Sequence, residues 1–388
     1  MDHVRIGVVG VGNMGSFHVQ YLRAQKIRRA QLTAVCDIDP ARLAPHQDLA
    51  AFTSSRELIR SGLVDAVIIA TPHYDHTTIG IDALEQGLHV LVEKPISVHK
   101  ADAERLIAAH TNPAQVFAAM FNQRPRQQYR KVKQLVDSGE LGRIQRVSWI
   151  ITDWFRPEAY YASGGWRATW KGEGGGVLLN QCPHNLDLFQ WIFGMPVRVR
   201  AFCGLGKYHQ IEVEDEVTAY MEFASGATAV FVTSTGEAPG TNRLEIAGDQ
   251  GKVVVESGRA AAGGPRIAYT RNEVRASQFS QECKDLFARP GVWHVEIPVE
   301  GGGQHEEITQ NFVDAILDGV PLIAPAEEGI HSVELANAML FSSFRNETAT
   351  LPLDGAAYEE LLQGLIARSR FEKKAAAGAG VDMTRSFR

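Results

Sequence analysis

Two patterns of apolar and polar residues divide the chain at about residue 124. Before that point, short and nearly continuous apolar runs alternate with stretches whose apolar residues recur at helical spacing. Strands that are apolar on both faces are typical of a parallel sheet covered by helices on both sides. The apolar runs are at 4–9, 31–36, 64–70, 89–93 and 115–120, and the helical stretches include 76–87 and 100–110. The pattern predicts an α/β domain over residues 1–124.

Beyond residue 125, the strands alternate between apolar and polar residues. Val147, Trp149 and Ile151 fall on one face of the segment 143–154, and 216–223 alternates in the same way. Half-buried strands of this kind indicate an open, mainly antiparallel sheet with one covered face. Further strands are predicted at 227–235, 243–247 and 252–256, helices at 127–138, 305–318 and 326–345, and a loop-rich stretch at 258–290. We therefore predict an α+β domain over 125–372, followed by a tail at 373–388 that is either disordered or an oligomer arm.

A glycine-rich turn joins the first strand to the first helix. Gly10, Gly12 and Gly15 form a GxGxxG pattern, in which Asn13 and Met14 open the helix. In this context the glycines allow a tight turn, a close approach to a pyrophosphate and close packing of helix on strand. The sequence predicts a Rossmann dinucleotide-binding domain.

The end of the second strand bears on the choice of cofactor. Asp37 follows this strand, and a carboxylate there accepts hydrogen bonds from the ribose hydroxyls and repels a 2′-phosphate. Ile38 and Asp39 come next, so no arginine is expected to receive that phosphate. We predict NAD rather than NADP as the cofactor.

Two later strands also end in polar residues. The Thr71-Pro72 loop, which runs to His76, follows the strand at 64–70, and Lys94 follows the strand at 89–93. Open α/β sheets bind ligands at the carboxyl ends of their strands. Because Pro95 can fix the turn after Lys94, we expect the lysine to point into the cleft.

The stretch 171–194 combines three consecutive glycines, at 174–176, with a helical pattern. Asn180, His184 and Asp187 recur at helical spacing between apolar residues, and we interpret this stripe as one wall of an active site. Pro183 lacks a backbone donor, so the helix is expected to break there and to direct His184 into the cleft. We expect Asp187 to bond beneath the site and not to act directly.

Composition and charge narrow the class of protein. The chain has 388 residues, 45% of them hydrophobic, and a net charge of −6 without a basic block. Nucleic acid and membranes are therefore not expected as partners. There is no apolar run of about eighteen residues and no secretory pattern at the start, so we predict a cytoplasmic protein. Four scattered cysteines and the pair His73 and His76, without a third ligand nearby, predict no metal site.

Together these motifs resemble those of the Gfo/Idh/MocA family of NAD(P)-dependent oxidoreductases. The resemblance rests on the glycine fingerprint, the Thr71-Pro72 loop, Glu93-Lys94-Pro95, and the triple glycine followed by His184 and Asp187. It implies oxidation or reduction of a ring carbon of an inositol, sugar or related polyol. It also implies a homodimer or homotetramer formed through the open sheet, and a cis bond before Pro95.

The resemblance also implies roles for individual residues. Lys94 would hydrogen-bond the reacting oxygen and the nicotinamide ribose of the cofactor, and His184 would be the acid/base. Our own hypothesis adds Asn180 as an orienting residue. Many members of the family carry Asp where this chain has Asn180, which puts an Asp–His dyad in doubt. Further cofactor contacts are expected from Thr71, Pro72, His76, Glu93, Asn122, Trp166 and Arg167. Substrate contacts are expected from Lys94, Arg126, Asp153, Tyr161, Arg167, Asn180 and His184.

The irregular stretch 152–170 is predicted to carry substrate specificity, because it is long, aromatic and polar. Two other readings of the whole chain stay open. Some relatives of this fold are glycosidases that oxidise a sugar transiently at C3 and keep NAD bound, and others are non-catalytic NAD-dependent sensors. The intact Lys94 and His184 argue against a sensor.

Overall fold

The computed structural model describes residues 2–258, 264–300 and 302–373. Within these ranges, the first part of the chain forms a parallel sheet in the order β3-β2-β1-β4-β5-β6. Its strands are β1 (Val4–Val9), β2 (Ala30–Cys36), β3 (Ala50–Phe52), β4 (Ala66–Ile69), β5 (His89–Val92) and β6 (Phe117–Ala119). The strand order reverses between β1 and β4, which is where doubly wound sheets open a ligand crevice. The predicted Rossmann domain is confirmed.

Helices cover this sheet on both faces. They are α1 (Asn13–Arg23), α2 (Pro40–Leu43), α3 (Ser55–Ile59), α4 (His73–Glu85) and α5 (Lys100–Ala108), with a 3₁₀ turn at Ala44–His46. Ile6, Val8 and Ile68 have no exposed surface, as expected for strands covered on both faces.

The second sheet has the order β14-β13-β12-β11-β7-β10-β9-β8-β15 in the described residues. The strands are β7 (Ile144–Ile151), β8 (Arg198–Leu205), β9 (Glu214–Glu222), β10 (Thr228–Ser234), β11 (Asn242–Gly248), β12 (Gly251–Glu256), β13 (Arg266–Asn272), β14 (Val292–Ile297) and β15 (Ala349–Thr350). Neighbours are antiparallel except β7 and β10. The predicted open, mainly antiparallel sheet is confirmed.

One face of this sheet packs on helices, and the predicted alternation of its strands is observed. Val147, Trp149 and Ile151 of β7 are at most 1% exposed. The helices of this part are α6 (Gln127–Asp137), α7 (Glu158–Ala162), α8 (Pro183–Phe193), α9 (Ala276–Glu282), α10 (His305–Asp318), α11 (Gly329–Arg345) and α12 (Gly355–Arg368), with a 3₁₀ turn at Ala326–Glu328. Helix α11 contacts both β8 and α8, so it joins the sheet to the helix that carries His184.

The loop-rich stretch predicted at 258–290 is partly wrong. It contains β13 and α9, while 259–263 lie outside the described residues. Strand β13 pairs with the edge strand β14, whose residues are mostly exposed. An edge strand that buries little apolar surface lacks the alternation by which inner strands are recognised. The strand β8 and the helix α12 were also not predicted.

Late segments of the chain return to the Rossmann sheet. Ile308 and Phe312 of α10 belong to the same buried core as β1 and β4, together with Ala326 and Val333. The predicted boundary between residues 124 and 125 stays a prediction, but the first core includes residues from both sides of it.

Buried polar contacts join the two parts of the chain. The amine of Lys100, at the start of α5, donates to Glu334 of α11 over 2.9 Å and to the carbonyl of Leu353 over 2.7 Å. The backbone N–H of Lys100 donates to Asn337 Oδ1 over 2.9 Å. Because these groups are buried, their hydrogen bonds fix the Rossmann layer against α11.

The outer face of the second sheet carries exposed apolar side chains, including Phe202 and Tyr220. A homodimer or homotetramer through this face stays a prediction, as does the cytoplasmic location. No helix in the described ranges is long and apolar enough to span a membrane. Most of the predicted tail, from 374 to 388, lies outside the described residues.

Candidate active site

The glycine loop between β1 and α1 is too tight for side chains. Gly10 has φ of 85°, in the left-handed region that favours glycine. A Cβ on Gly15 would lie 1.7 Å from the carbonyl oxygen of Gly10. Close packing of the helix against the turn therefore requires glycine at this position.

The N-terminus of α1 fits a phosphate group. Asn13 and Met14 open the helix after Gly12, and no side chain of the described residues caps it, so its first N–H groups stay available. A Cβ on Gly12 would meet only Arg42 Nη1, at 3.4 Å, so the backbone is open to a ligand. Free N–H donors and the helix dipole suit the pyrophosphate of NAD.

The carboxylate of Asp37 lies beside this loop. Its Oδ2 accepts the N–H of Val11 over 2.9 Å, and its Oδ1 accepts that of Asp39 over 3.0 Å. The expectation that no arginine lies here is wrong, because Arg42 Nη1 is 3.5 Å from Asp37 Oδ2. Asp39 caps the single turn α2, which carries Arg42 back towards the strand end. Arg42 is therefore paired with Asp37, and a 2′-phosphate would have to compete with this carboxylate for the arginine.

Two polar atoms at the strand ends are buried without a partner among the described residues, Thr71 Oγ1 and Asn122 Oδ1. Buried polar atoms normally have partners, so these two suit a ligand in the cleft. His76, predicted as a cofactor contact, lies between the carbonyls of Pro95 (2.7 Å) and Thr71 (2.9 Å). It ties the loop that begins at Thr71 and Pro72 to the turn after Lys94.

Glu93 and Lys94 follow β5, and the bond between Lys94 and Pro95 is cis, as the resemblance implied. Lys94 Nζ donates to the backbone carbonyl of Asn180 over 2.8 Å. Burial lowers the pKa of the Lys94 amine. The lysine thus reaches from the Rossmann sheet to the second domain.

The carboxylate of Glu93 is buried next to His18. His18 Nε2 lies 2.8 Å from Glu93 Oε1, and the N–H of Lys94 donates to Oε2 over 3.2 Å. Burial alone would raise the pKa of Glu93, but the hydrogen bond and charge of His18 lower it to about 2. Glu93 is therefore a fixed negative charge behind the lysine, and its side chain holds the strand end.

The helix α8 begins at Pro183, which confirms the predicted break before His184. The prediction that Asn180 and His184 share one helical stripe is wrong, since Asn180 lies in the turns before the helix. The carbonyl of Val177 accepts the N–H of Cys182, five residues on, so these turns are not α-helical. Proline at the first position needs no backbone donor, which explains why the helix starts there.

The ring of His184 is buried at the start of α8. Burial and, to a smaller extent, the charge of Lys94 lower the pKa of His184 well below its usual value. Nδ1 has no hydrogen-bond partner among the described residues, and Phe121 packs edge-on at 6.4 Å between ring centroids. The charge of Arg126 also acts on this ring. His184 is accordingly a neutral imidazole that can take up a proton.

Asn180 contacts the lysine side of the site, and no hydrogen bond from it to His184 is found in the described part of the chain. Its Oδ1 accepts the hydroxyl of Tyr160 over 3.1 Å, and its Nδ2 donates to Glu173. Glu173 was not predicted. Its Oε2 accepts the N–H of Ala168 over 2.6 Å, and burial raises its pKa. A carboxylate thus lies beside Asn180, supplied by a residue seven positions earlier.

Asp187 forms an ion pair beneath the site. Both of its oxygens accept hydrogen bonds from Arg124, over 2.8 and 2.6 Å, and both side chains are 1% exposed. Arg124 also pairs with Glu328 over 2.6 Å. As expected, Asp187 bonds beneath the site, although its partner is a side chain from the end of the Rossmann domain.

The segment around Trp166 and Arg167 reaches back to the Rossmann domain. The Trp166 ring packs edge-on against His73, at the start of α4, with 5.4 Å between centroids. Lys373 Nζ donates to the carbonyls of Gly164 and Arg167, over 2.6 and 2.9 Å. The resemblance implied that this segment lines the cofactor or substrate, and its contact with α4 is compatible with that role.

Tyr161 and Asp153, two predicted substrate contacts, have partners in the second domain. The hydroxyl of Tyr161 is buried 2.7 Å from Thr235 Oγ1, and its ring packs against His209. Asp153 lies next to the start of β11, with Oδ2 3.5 Å from Asn242 Nδ2. A substrate role for Tyr161 and Asp153 stays a prediction. The neighbouring Tyr160 contacts Asn180 instead, a one-residue difference that periodicity cannot resolve in an irregular loop.

The fold and cleft define a class of protein, an NAD-dependent oxidoreductase. A model of the oxidoreductase family described as an NAD-binding Rossmann fold matches residues 4–121, and the GFO/IDH/MocA C-terminal domain model matches 129–254. The chain belongs to the Gfo/Idh/MocA family.

Relatives that are named dehydrogenases agree with this class. The chain is 26% identical to a myo-inositol 2-dehydrogenase of Thermotoga maritima, over 66% of this chain and 76% of that protein. It is 32% identical to a 1-carboxy-3-chloro-3,4-dihydroxycyclohexa-1,5-diene dehydrogenase of Comamonas testosteroni, over 58% of this chain and 56% of that protein. The WlbA dehydrogenase of Chromobacterium violaceum, solved with NADH and UDP-GlcNAcA, superposes with a TM-score of 0.78 at 27% identity over 91% of this chain and 97% of that one.

Proposed function

We propose that this protein transfers hydride between a ring secondary alcohol of a sugar, inositol or related polyol and NAD. The observation that carries the proposal is the meeting of Lys94, from the Rossmann strand β5, with the turn that leads into His184. Hydride transfer requires a proton acceptor and a stabiliser of the developing alkoxide at one carbon. These two residues can supply both.

In the oxidation direction, the chemistry divides between the two side chains. NAD, when bound, supplies the carbon that accepts the hydride. His184 takes the hydroxyl proton as the C–H bond breaks and the carbonyl forms. Its lowered pKa keeps the imidazole neutral, so that a ring nitrogen is free to accept that proton. In the reverse direction the same imidazole, once protonated, returns the proton to the alkoxide oxygen.

Lys94 stabilises the reacting oxygen. Its amine is held by the carbonyl of Asn180 over 2.8 Å, which leaves two further N–H donors for the substrate. Glu93 supplies a fixed negative charge behind it, which favours the ammonium form and opposes the lowering of the Lys94 pKa by burial. Asn180, in turn, is held by Tyr160 and Glu173 and can orient a substrate hydroxyl.

The relatives support this assignment without identifying the substrate. The Thermotoga maritima relative is a myo-inositol 2-dehydrogenase, and the Chromobacterium violaceum structure contains NADH and UDP-GlcNAcA. Myo-inositol and the sugar of UDP-GlcNAcA each carry a secondary alcohol on a ring. We extend that feature to the substrate of this chain.

The proposal is tested by following NADH formation against inositols, free sugars, sugar acids and glycosides. We expect steady NADH production from at least one free polyol. Cleavage of a glycoside with no net NADH would replace the proposal with the glycosidase reaction. Tight NAD binding without turnover of any compound would favour a sensor.

We also propose that the protein is a homodimer or homotetramer formed through the outer face of the second sheet. Light scattering should give a mass of two or four chains, and Phe202→Glu, on this face, should reduce it. A single-chain mass for the unmodified protein would overturn this part of the proposal.

A further inference from the structure

Two arginines in the loop that precedes the triple glycine are stacked between aromatic rings. The Arg156 guanidinium lies 5.5 Å from the ring centroid of Trp154 and 5.1 Å from that of Tyr160. The Arg167 guanidinium lies 4.8 Å from the same Tyr160 ring and 4.7 Å from that of Trp166. We call these five residues the arginine–aromatic ladder.

The ladder is connected to the reacting groups by hydrogen bonds. Arg167 Nη1 donates to the hydroxyl of Tyr160 over 2.9 Å, and that hydroxyl donates to Asn180 Oδ1 over 3.1 Å. The carbonyl of Asn180 accepts from Lys94 Nζ. All five side chains of the ladder are partly exposed, so a ligand in the cleft can reach them.

Neither guanidinium of the ladder forms an ion pair with a carboxylate in the described ranges of the chain. Each donates one hydrogen bond to a neutral oxygen, Arg156 to the carbonyl of Phe155 and Arg167 to Tyr160. Stacking holds a guanidinium by its faces, and its remaining N–H groups point outwards in the plane. Two oriented, unpaired cations close to Lys94 make this side of the cleft electropositive.

We propose that the arginine–aromatic ladder binds a carboxylate on the polyol substrate, so that the protein prefers sugar acids or other acidic ring polyols to neutral ones. This inference rests on the proposed function, because it concerns the same cleft. A planar guanidinium with free in-plane N–H groups pairs with a carboxylate through two parallel hydrogen bonds.

A guanidinium fork can bind a carboxylate or a phosphate, and Glu173 bears on the choice between them. The carboxylate of Glu173 is buried close to Arg167 and Lys94, and their charges act on it. It offsets part of the local positive charge. A phosphate, with its second negative charge, would be repelled more strongly by Glu173 and attracted more strongly by the three cations, so the test includes phosphates as the competing anion.

The test measures binding to the protein saturated with NADH, by calorimetry at low and moderate salt. The probes are glucuronate and galacturonate, their neutral twins glucose and galactose, and the two hexose 6-phosphates. We expect at least one acid to bind about 10-fold or more tightly than its neutral twin, since hydrogen bonds to charged groups are worth that much. The preference should weaken as salt rises.

Variants test whether the arginine–aromatic ladder causes the preference for acidic sugars. Arg156→Gln should reduce the preference for the acid to about 3-fold or less, and Arg156→Lys should restore part of it, because charge remains without the fork. The matched control is Arg200→Gln, which removes a guanidinium stacked 5.0 Å from Phe202 on β8 and should keep the full preference. If Arg156→Gln does not fold, the comparison of Arg156→Lys with the control carries the test.

The outcomes separate this inference from the proposed function. Equal binding of acids and neutral twins, or tighter binding of the phosphates than of the acids, overturns the inference. A preference unchanged in Arg156→Gln also overturns it, because the ladder would then only hold the loop. NADH formation from neutral polyols alone would leave the proposed function standing while the inference falls. Acid binding without any turnover would support the inference and contradict the proposed function.

Discussion

The cofactor side and the substrate side of the cleft are built differently. On the cofactor side, backbone N–H groups and strand ends create the site, and Gly10, Gly15 and Asp37 act through their place in a regular βα unit. On the substrate side, side chains from an irregular loop do so, and Tyr160, Arg167 and Glu173 act through contacts with one another. On the cofactor side the backbone geometry restricts the residue type at each position, whereas on the substrate side each role depends on contacts between side chains.

The largest effect is expected at the glycine loop. Gly15→Ala places a Cβ 1.7 Å from the Gly10 carbonyl, so the helix must move and the free energy of unfolding should fall by about 3 kcal/mol or more. Gly12→Ala is the matched control, because its Cβ has space. It should change the melting temperature little and yet weaken NAD binding by about 10-fold or more, since the Cβ crowds the pyrophosphate. Equal stability of the two variants, measured by denaturant titration, would contradict this account.

Cofactor choice is expected to depend on Asp37 and Arg42 together. Asp37→Ser removes the negative charge and frees Arg42, so the ratio of kcat/KM for NADP to that for NAD should rise by about 100-fold. The double variant Asp37→Ser, Arg42→Gln should lose most of that gain. An unchanged ratio in the single variant would show that Asp37 does not control the choice.

The third effect concerns Glu214, which holds the triple-glycine turn. Its Oε1 accepts the N–H groups of Gly176 and Leu178, over 2.8 and 3.0 Å. Burial raises the pKa of Glu214 to about 7 from an ordinary value of 4.5. The folded state therefore favours the protonated form of Glu214. The stabilisation that this proton contributes is fully present below pH 4.5 and is lost as pH rises through about 7.

Glu214→Gln should remove this pH dependence. Between pH 5 and pH 8 the wild type should lose about 2–3 kcal/mol relative to the variant. Denaturant titrations at both pH values measure the difference. A parallel pH dependence of the two proteins would rule out Glu214 as its source. Glu158→Gln, an exposed carboxylate in the same domain, serves as the control.

The smallest effect is expected at Glu173. Gln at this position can accept from Ala168 or from Asn180, but its amide opposes the other donor, so Asn180 should lose its fixed orientation. We predict a fall in kcat of about 10-fold with little change in NAD affinity. A loss confined to NAD binding would assign Glu173 to the cofactor side instead.

The difference between the cofactor side and the substrate side also explains which parts of the site could be predicted from the sequence. Gly15, Asp37 and Lys94 could be located from the sequence, because a βα unit fixes where its strand ends meet. Arg42 was missed, since only the fold of α2 brings it back to Asp37. Tyr160 and Glu173 were missed because their partners are set by loop geometry. Asn180 was misplaced because Pro183 starts the helix after it, although the break itself was predicted.

The pH dependence of kcat/KM for polyol oxidation, in the wild type and in His184→Ala, tests the central claim that a buried, neutral His184 takes the substrate proton. Because burial lowers the pKa of His184, activity should be retained well below pH 6.5 and fall only at lower pH. His184→Ala should lose about 100-fold or more in kcat, lack that fall, and still bind NAD. His294→Ala, an exposed histidine on β14, should behave as the wild type. Near-normal turnover by His184→Ala with NAD bound would contradict the assignment.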